Sequence, residues 1–227
     1  MEDGKNMNSL NVLYEDNHII VVEKPYNILS QGDSTGDLSL MDMVKAYIKE
    51  KYHKPGNVFL GLVHRLDRPV GGIMVFARSS KAASRLTKEF SSHQVVKKYL
   101  AIVHGKLEGK GEWVDKILKD NSGNSVVSPS GKEAILDYEV LAYDKKNDCT
   151  LVSILLKTGR HHQIRVQFSS RGYYLLGDQR YGVLDHVQIC LFSYYLSFIH
   201  PVTKEEMKFQ LYPKISGYWK IFETKLR

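Results

Sequence analysis

The chain has 227 residues, 43% of them apolar and 25% charged, which is the composition of a folded globular protein with room for a large core. No apolar run reaches the roughly eighteen residues of a membrane-spanning helix, so the sequence predicts no membrane association. The polar N-terminus lacks the form of a secretion signal, and Cys149 and Cys190 make no Cys-x-x-Cys pair. These features predict a reducing, cytoplasmic location and argue against a disulfide scaffold.

Charge is distributed unevenly along the chain. Residues 1–50 carry 4 basic and 9 acidic side chains, whereas the remaining 177 residues carry 28 basic and 16 acidic ones. A body with a net charge of +12 attracts polyanions, and nucleic acid is the commonest polyanion in a cytoplasm. A charge that serves only solubility is the alternative, and charge alone does not decide between the two.

The hydrophobic pattern predicts many short strands with four helices between them. In chain order we expect strands at 12–14, 19–23, 58–63, 73–77 and 95–103, several more between 113 and 156, and two at 189–198 and 207–211. Helices are expected at 40–52, from 79 or 80 to 90, from 158 or 159 to 172, and at 217–224. No linker or repeat divides the chain, so residues 11–227 are expected to form one domain, with residues 1–10 frayed. The predicted fold class is α+β, with a mixed, mostly antiparallel sheet and flanking helices.

The densest cluster of chemically active side chains is His64-Arg65-Leu66-Asp67-Arg68-Pro69, which is followed by Gly71 and Gly72. It lies in a charged loop between two apolar runs. A carboxylate such as Asp67 can serve as a nucleophile or as an electrostatic stabiliser. A simple salt bridge within the loop is the alternative, and for a lone aspartate between arginines it is the more frequent one.

A second cluster is Thr158-Gly159-Arg160-His161-His162-Gln163-Ile164-Arg165. The predicted helix places Arg160, His161 and Arg165 in its first turns, where backbone N–H groups also point outward. Three such donors would make a clamp for a phosphate or a carboxylate. No third ligand lies at a zinc spacing from the two histidines, so no metal site is predicted.

The segment Gly32-Asp33-Ser34-Thr35-Gly36 fits the G-x-S-x-G pattern of serine hydrolases. That motif requires a buried strand directly before the serine and a helix directly after it, and the sequence predicts neither here. A polar turn is the better interpretation, and a hydrolase that uses Ser34 is kept only as a weaker alternative. Neither of the glycine-rich nucleotide-binding loops is present.

Taken together, several segments resemble, in order and spacing, the motifs of the RluA family of pseudouridine synthases. They are His64–Asp67 with Arg68, Lys98-Tyr99-Leu100-Ala101, Thr158–Arg165, Leu176-Gly177-Asp178 with Tyr181-Gly182, Phe198-x-His200-Pro201, and the opening Tyr14-Glu15-Asp16 and Glu23-Lys24-Pro25. The resemblance runs from about residue 11 to 213. The chain resembles a member of the family without the extra N-terminal RNA-binding domain that some relatives carry.

The chain departs from the family pattern at three places. Val70-Gly71-Gly72 stands where the family usually has Thr-Ser-Gly, and Leu191-Phe192-Ser193 stands for Leu-His-Ala. Tyr26-Asn27 follows Lys-Pro where a glycine is usual, and asparagine tolerates the left-handed backbone that a glycine would supply. None of these changes removes the expected catalytic residues, so they bear on the choice of substrate.

The resemblance implies a pseudouridine-synthase-like fold and isomerisation of specific uridines in ribosomal or transfer RNA, by base flipping and without a metal or cofactor. It implies three catalytic residues: Asp67 at the sugar, Arg165 holding that carboxylate by a bidentate pair, and Tyr99 against the uracil, handling its proton. It also implies RNA contacts through Arg65, His64, Arg68, Leu191, Arg160 and His161, with Leu191 on the base and Arg65 filling the gap that the flipped nucleotide leaves. A monomer is expected. A non-catalytic RNA-binding protein on the same fold is the other alternative.

Overall fold

The computed structural model describes residues 10–184 and 187–226. Of the N-terminal segment expected to be frayed, residues 1–9 lie outside the described residues. The strands are β1 (Val12–Glu15), β2 (Ile19–Lys24), β3 (Gly61–Leu62), β4 (Gly71–Ala77), β5 (Val96–His104), β6 (Lys110–Lys119), β7 (Ser125–Val127), β8 (Lys132–Asp144), β9 (Cys149–Leu156), β10 (Leu191–Ile199) and β11 (Glu206–Gln210). The helices are α1 (Leu40–Lys51), α2 (Ser80–Ser91), α3 (Gln163–Ser169) and a C-terminal 3₁₀ segment (Gly217–Lys225).

These strands form a single sheet in the order β1-β2-β4-β10-β5-β9-β8-β6-β7, with β11 paired to β10 and β3 paired to β4. Within the described residues, β4 and β10 are the one parallel pair, and every other pair of strands is antiparallel. The predicted α+β fold with a mixed, mostly antiparallel sheet is confirmed. The sheet joins elements that are far apart in the chain at its centre, where β10 lies between β4 and β5.

Alternating side chains of the strands build separate cores on the two faces of the sheet. On β2, Ile20 and Val22 belong to the core that α1 covers, whereas Ile19 and Val21 belong to the core that α2 covers. A third core packs Leu100 and its neighbours against the C-terminal 3₁₀ segment. The sheet is thus covered on both faces and holds the loops at its centre in fixed positions.

The first two helices agree closely with the sequence prediction, because local caps define their starts. Ser39 and Asp42 form a reciprocal capping box at α1, and the Ser79 hydroxyl accepts a hydrogen bond from the Ala82 N–H at α2. None of the helices in the described part of the chain is long and apolar enough to cross a bilayer.

Three predicted elements differ from the structure. The strand expected at 58–63 is reduced to Gly61–Leu62, and the C-terminal helix is a 3₁₀ segment kinked at Phe222. The helix expected from 158 or 159 to 172 covers only Gln163–Ser169. It starts late because His162 has the left-handed backbone angles φ 54° and ψ 24°, which interrupt helical hydrogen bonding.

Gly72 lies at the short parallel contact between β4 and β10, opposite Ser193. Its φ is +127°, and a Cβ atom at this position would overlap with the backbone of Ser193. The close approach of the two strands therefore requires glycine here. The same contact holds the loop before β4 beside the start of β10.

We expect Gly72→Ala to lower the free energy of unfolding by about 4 kcal/mol, because the added methyl forces two central strands apart and strains the backbone. Urea unfolding followed by circular dichroism measures the loss. Gly56→Ala is the matched control, since no atom lies within 4 Å of a Cβ at that exposed glycine. Equal midpoints for the two variants would contradict the account of the β4–β10 contact.

Candidate active site

A small pocket of about 90 Å³ lies at the centre of the sheet. Its wall combines the loop before β4, strands β5 and β10, and helix α3, which contribute Asp67, Tyr99, Leu191 and Arg165 respectively. The pocket opens into a cleft of about 1140 Å³. The three expected catalytic residues and Leu191 therefore meet at one place, although they are spread over more than 120 positions of the chain.

The loop that carries Asp67 is held from beneath by buried polar groups. The Lys24 ammonium is completely buried and donates hydrogen bonds to the carbonyl oxygens of Pro25, Ile28 and Arg68 at 3.0, 2.5 and 3.0 Å. The Ser30 hydroxyl donates to the Leu66 carbonyl at 2.7 Å and accepts from the Leu66 N–H at 3.1 Å. The backbone is thus fixed on both sides of Asp67.

Burial lowers the pKa of Lys24 to about 7, against the opposing charge of Asp67. The three carbonyl acceptors compensate the amine for the water that it has lost. Asn27, where the family usually has a glycine, takes the left-handed backbone that the sequence suggested, with φ 62°. Its carbonyl oxygen accepts a hydrogen bond from the Arg68 guanidinium at 3.3 Å.

Arg165 connects two carboxylates. Its guanidinium donates two hydrogen bonds to Asp178, Nε to Oδ2 at 2.8 Å and Nη2 to Oδ1 at 2.7 Å. A third bond runs from Nη1 to the Asp67 Oδ2 at 3.3 Å. The expectation of a bidentate pair with Asp67 is wrong, because the guanidinium makes its bidentate pair with Asp178 and a single hydrogen bond, from Nη1, with Asp67.

Asp178 is itself rigidly held. Its side chain is 1% exposed, and Oδ1 also accepts hydrogen bonds from the backbone N–H groups of Arg180 and Tyr181. Burial opposes ionisation of this carboxyl, but the Arg165 guanidinium and these N–H groups outweigh burial and lower its pKa. The same partnership raises the pKa of Arg165 despite its burial. Asp178 and Arg165 thus form a permanent buried ion pair.

His162, which the sequence analysis did not select, lies beside Asp67. Its Nε2 is 3.7 Å from the Asp67 Oδ2, and its Nδ1 is 2.7 Å from the Tyr181 hydroxyl. Burial lowers the pKa of His162 to about 4, so the ring is neutral near pH 7. The Tyr181 oxygen accepts the Ser125 N–H at 2.8 Å, and its own proton can be donated to the His162 Nδ1; in that tautomer the ring proton is on Nε2, facing Asp67.

Tyr99 and Leu191 belong to the apolar lining of the pocket, together with Leu66, Val70, Leu156 and Ile164. Tyr99 is 7% exposed, and it lies in the register position opposite Ser193 on β10. Burial and the nearby Asp67 carboxylate raise the pKa of Tyr99, which keeps the side chain a neutral phenol. Leu191 is 3% exposed and pairs with Ala101 on the neighbouring strand.

The remaining residues of the Asp67 loop have different environments. His64 stacks on Phe90 with 4.5 Å between ring centroids, and its Nε2 accepts the Val75 N–H at 3.1 Å. Burial and the nearby Lys97 lower the pKa of His64 to about 3, so it is a neutral wall of the cleft. Arg65 is exposed and borders both the pocket and the cleft.

Arg68 is held by the neighbouring loop between β2 and α1. Besides its bond to the Asn27 carbonyl, it forms an ion pair with Asp37 at 2.8 Å, although it also borders the cleft. The alternative of a salt bridge within the Asp67 loop is not borne out among the described residues, because the partners of Asp67 there are Arg165 and His162. Asp67 instead faces the pocket, with its side chain 26% exposed.

Arg160 and His161 precede the helix that was expected to contain them, so the predicted clamp at a helix start is wrong. The backbone N–H of Arg160 donates a hydrogen bond to the Gln163 Oε1 at 3.0 Å. The Nε of the Arg160 guanidinium donates to the Glu133 carbonyl oxygen at 2.7 Å. His161 stacks on His162 and hydrogen-bonds to Ser125 at 2.9 Å. Both residues line the cleft, while Arg165 alone turns inward to the carboxylates.

Ser34 lies exposed in a turn, and α1 begins only at Leu40. No buried strand leads into it, so the geometry of a nucleophile elbow is absent there. Cys149 and Cys190, the two cysteines of the chain, are both buried, and no disulfide joins them. Among the described residues, no group of three or more His, Cys, Asp or Glu side chains is placed to hold a metal ion.

Sequence reasoning assigned no role to three residues that organise the site: Lys24, His162 and Asp178. Each lies inside a segment that carried the family resemblance, which was the available signal. Their roles depend on contacts with Arg68, Asp67 and Arg165, which are between 13 and 95 positions away along the chain.

We expect Lys24→Met to lower the free energy of unfolding by about 2 kcal/mol, because three carbonyl oxygens lose the buried ammonium that donates to them. The loop that holds Asp67 should also become more mobile. Thermal unfolding measures the first effect, and amide hydrogen exchange around residues 66–70 measures the second. Lys54→Met at an exposed lysine is the control; unchanged stability and exchange in Lys24→Met would show that the amine does not support the loop.

The chain matches known proteins along most of its length. The family model for RNA pseudouridylate synthase matches residues 18–170. An uncharacterized RNA pseudouridine synthase of Aquifex aeolicus is 33% identical over 219 residues, which cover 89% of this chain and 69% of that protein. Ribosomal large subunit pseudouridine synthase D of Vibrio cholerae is 32% identical over 88% of this chain and 66% of its own length. Synthase C of Buchnera aphidicola is 33% identical, with 87% and 65% covered.

Solved structures show the same fold. The human proteins RNA pseudouridylate synthase domain containing 4 and 1 each superpose with a TM-score of 0.76 at 24% identity. The matches cover 96% of this chain and 93% and 89% of the human chains. The chain thus spans about two thirds of the length of its curated relatives. With a family model over more than half of its residues, the chain belongs to the RNA pseudouridylate synthase family, of the RluA type that its motifs predicted.

Proposed function

We propose that this protein isomerises uridine to pseudouridine in ribosomal RNA, with residues 11–227 acting as one catalytic domain. The observation that carries the proposal is the Asp178–Arg165–Asp67 chain of charges, which ends in the pocket that Tyr99 and Leu191 help to line. A buried ion pair aims one N–H group at a carboxylate that is still accessible. Such an arrangement suits a carboxylate that must act on a bound substrate.

The reaction detaches uracil from C1′ of the ribose and rejoins it through C5. The base must leave the stack so that both its edge and its sugar are within reach. Asp67 then attacks the sugar or stabilises the positive charge that develops there as the glycosidic bond breaks. Arg165 orients the carboxylate through Nη1, and the neutral His162 presents its Nε2–H from the other side.

Tyr99 and Leu191 suit a flat apolar ligand. An aromatic ring and a branched aliphatic side chain on neighbouring strands would hold the uracil between them while the base is free of the sugar. The raised pKa of Tyr99 is relevant to whether this side chain accepts the proton that leaves C5 of the uracil. A neutral phenol accepts a proton poorly, so packing and hydrogen bonding are the better-supported functions of this side chain.

The cleft above the pocket suits a polyanion. Its basic side chains are Arg65, Arg68, Lys97, Lys119, Arg160, Arg165 and Arg180, whereas Asp33 and Asp67 are its acidic ones. Contacts from such side chains to phosphates position an RNA without reading its sequence. Arg65, exposed at the mouth of the pocket, is placed to stack in the gap that a flipped nucleotide leaves.

The choice of ribosomal RNA follows the names of the relatives, two of which are large-subunit pseudouridine synthases. Transfer RNA is the other substrate that the sequence allowed, and the assay below includes it. We propose that the protein acts as a monomer, because one chain supplies Asp67, Arg165, Tyr99 and Leu191 to the same pocket. A non-catalytic RNA-binding protein is not favoured, since it would not require an accessible carboxylate paired to a buried arginine.

We expect Asp67→Asn to reduce tritium release from RNA that contains [5-³H]uridine by about a thousandfold or more, because the amide can neither attack nor stabilise the sugar. Its stability and RNA affinity should remain near wild type, since Asp178 still satisfies Arg165. Ribosomal and transfer RNA transcripts are assayed side by side. Asp33→Asn, at an exposed carboxylate of the same cleft, is the control and should retain full activity.

Release from the wild type alone would support the proposed chemistry together with its nucleophile. Release from transfer RNA but not from ribosomal RNA would overturn the substrate and leave the reaction standing. Substantial release by Asp67→Asn would show that another group performs the chemistry.

We expect Arg165→Lys to slow isomerisation by about a hundredfold, because an ammonium cannot satisfy both Asp178 oxygens and still reach Asp67. Single-turnover rates measure the loss at the chemical step. Arg171→Lys is the matched control: Arg171 pairs with Asp115 at 2.8 Å, away from the pocket. If both variants isomerise uridine at similar rates, the bidentate hydrogen bonding of Arg165 to Asp178 is not needed for the reaction.

A further inference from the structure

Lys97 is a buried lysine on the wall of the cleft. It lies on β5 two positions before Tyr99, and alternation along a strand puts both side chains on the same face. Both border the cleft, whereas Lys98 between them faces a groove on the opposite side of the sheet. The residue is 9% exposed, close to the value for Tyr99 itself.

The Lys97 ammonium has no anionic partner among the residues that the structure describes. Within residues 10–184 and 187–226, no carboxylate lies within 4 Å of its Nζ, and no acceptor hydrogen-bonds to it. Lys24, the other deeply buried lysine, instead donates to three carbonyl oxygens. A charged group that is mostly buried without a partner costs free energy, so we expect Lys97 to add little to the stability of the fold.

The surroundings leave the ammonium accessible from the cleft. A Cβ built on Gly159 would lie 3.6 Å from the Lys97 Nζ, so the glycine of the Thr158–Arg165 segment leaves one side of the amine uncovered. His64, on another side, is neutral and therefore supplies no negative charge. An anion approaching through the cleft would meet a poorly hydrated cation with free donors.

The distance along β5 suggests what that anion is. Two residues of a strand span about 6.6 Å, which is roughly one nucleotide step of an RNA backbone. If the base lies against Tyr99 and the sugar at Asp67, a phosphate that flanks the flipped nucleotide falls above Lys97. We propose that Lys97 binds a backbone phosphate next to the target uridine and so positions that nucleotide over Asp67. This inference rests on the proposed function, because it assigns a contact to the same substrate.

The test compares Lys97→Met, Lys97→Arg and the matched control Lys98→Met, whose parent side chain lies over the Tyr195 ring, 5.3 Å from its centroid. Affinity for an unmodified large-subunit ribosomal RNA transcript is measured between low and moderate salt. Loss of one phosphate contact lowers the slope of log affinity against log salt by about 0.7 to 0.9. We expect that change and about tenfold weaker binding in Lys97→Met, a near-normal slope in Lys97→Arg, and no change in Lys98→Met.

Stability separates a binding role from a structural one. A lysine kept for folding would lower the melting temperature when replaced, whereas Lys97→Met should keep or raise it because an unpaired buried charge is removed. A wild-type salt slope in Lys97→Met overturns the phosphate contact, and an equal loss in Lys98→Met does the same. If the wild type binds the transcript but releases no tritium, the isomerase proposal fails, while the slopes still decide the phosphate contact.

Discussion

The buried pairing of Arg165 with Asp178 is the interaction on which the rest of the site depends. Two hydrogen bonds fix the guanidinium, and the backbone N–H groups of Arg180 and Tyr181 fix the carboxylate in turn. An arginine can pair with both oxygens of one carboxylate and still have N–H groups for a second acceptor, and here Nη1 donates to Asp67. A buried ion pair adds little to stability by itself, so its value here lies in holding a charge in a defined direction.

Two buried lysines near this pair show how differently one residue type can serve a fold. Lys24 is satisfied by backbone carbonyls and supports the loop under Asp67, so its contribution is internal to the protein. Lys97 has no such acceptors among the described residues, and it faces the cleft. Groups that a fold leaves unsatisfied at a cost in stability mark the places where a ligand completes the structure.

The sheet brings these groups together by one short parallel contact. β4 and β10 approach at Gly72 and Ser193, and this places the loop of Asp67 beside Leu191 and Tyr99. Val70-Gly71-Gly72 departs from the usual Thr-Ser-Gly of the family only at its first two residues. The third, Gly72, is kept, and it is the position where a side chain would collide with the backbone of Ser193. The departure therefore leaves the contact between β4 and β10 intact.

Much of this molecule could be predicted from its sequence, because alternating apolar residues, the caps at Ser39 and Ser79, and the motif segments act over a few positions. These local signals determined the fold class, most strands and the first two helices. They also selected Asp67, Tyr99 and Arg165 as the expected catalytic residues, which the fold brings to one pocket. The tertiary structure alone decided that the guanidinium of Arg165 pairs with both oxygens of Asp178, that His162 interrupts the third helix and faces Asp67, and that Lys97 is buried with no anionic partner among the described residues. Such contacts form between segments that are far apart in the chain. The sequence pattern within one segment does not say how close that segment lies to another in the folded protein.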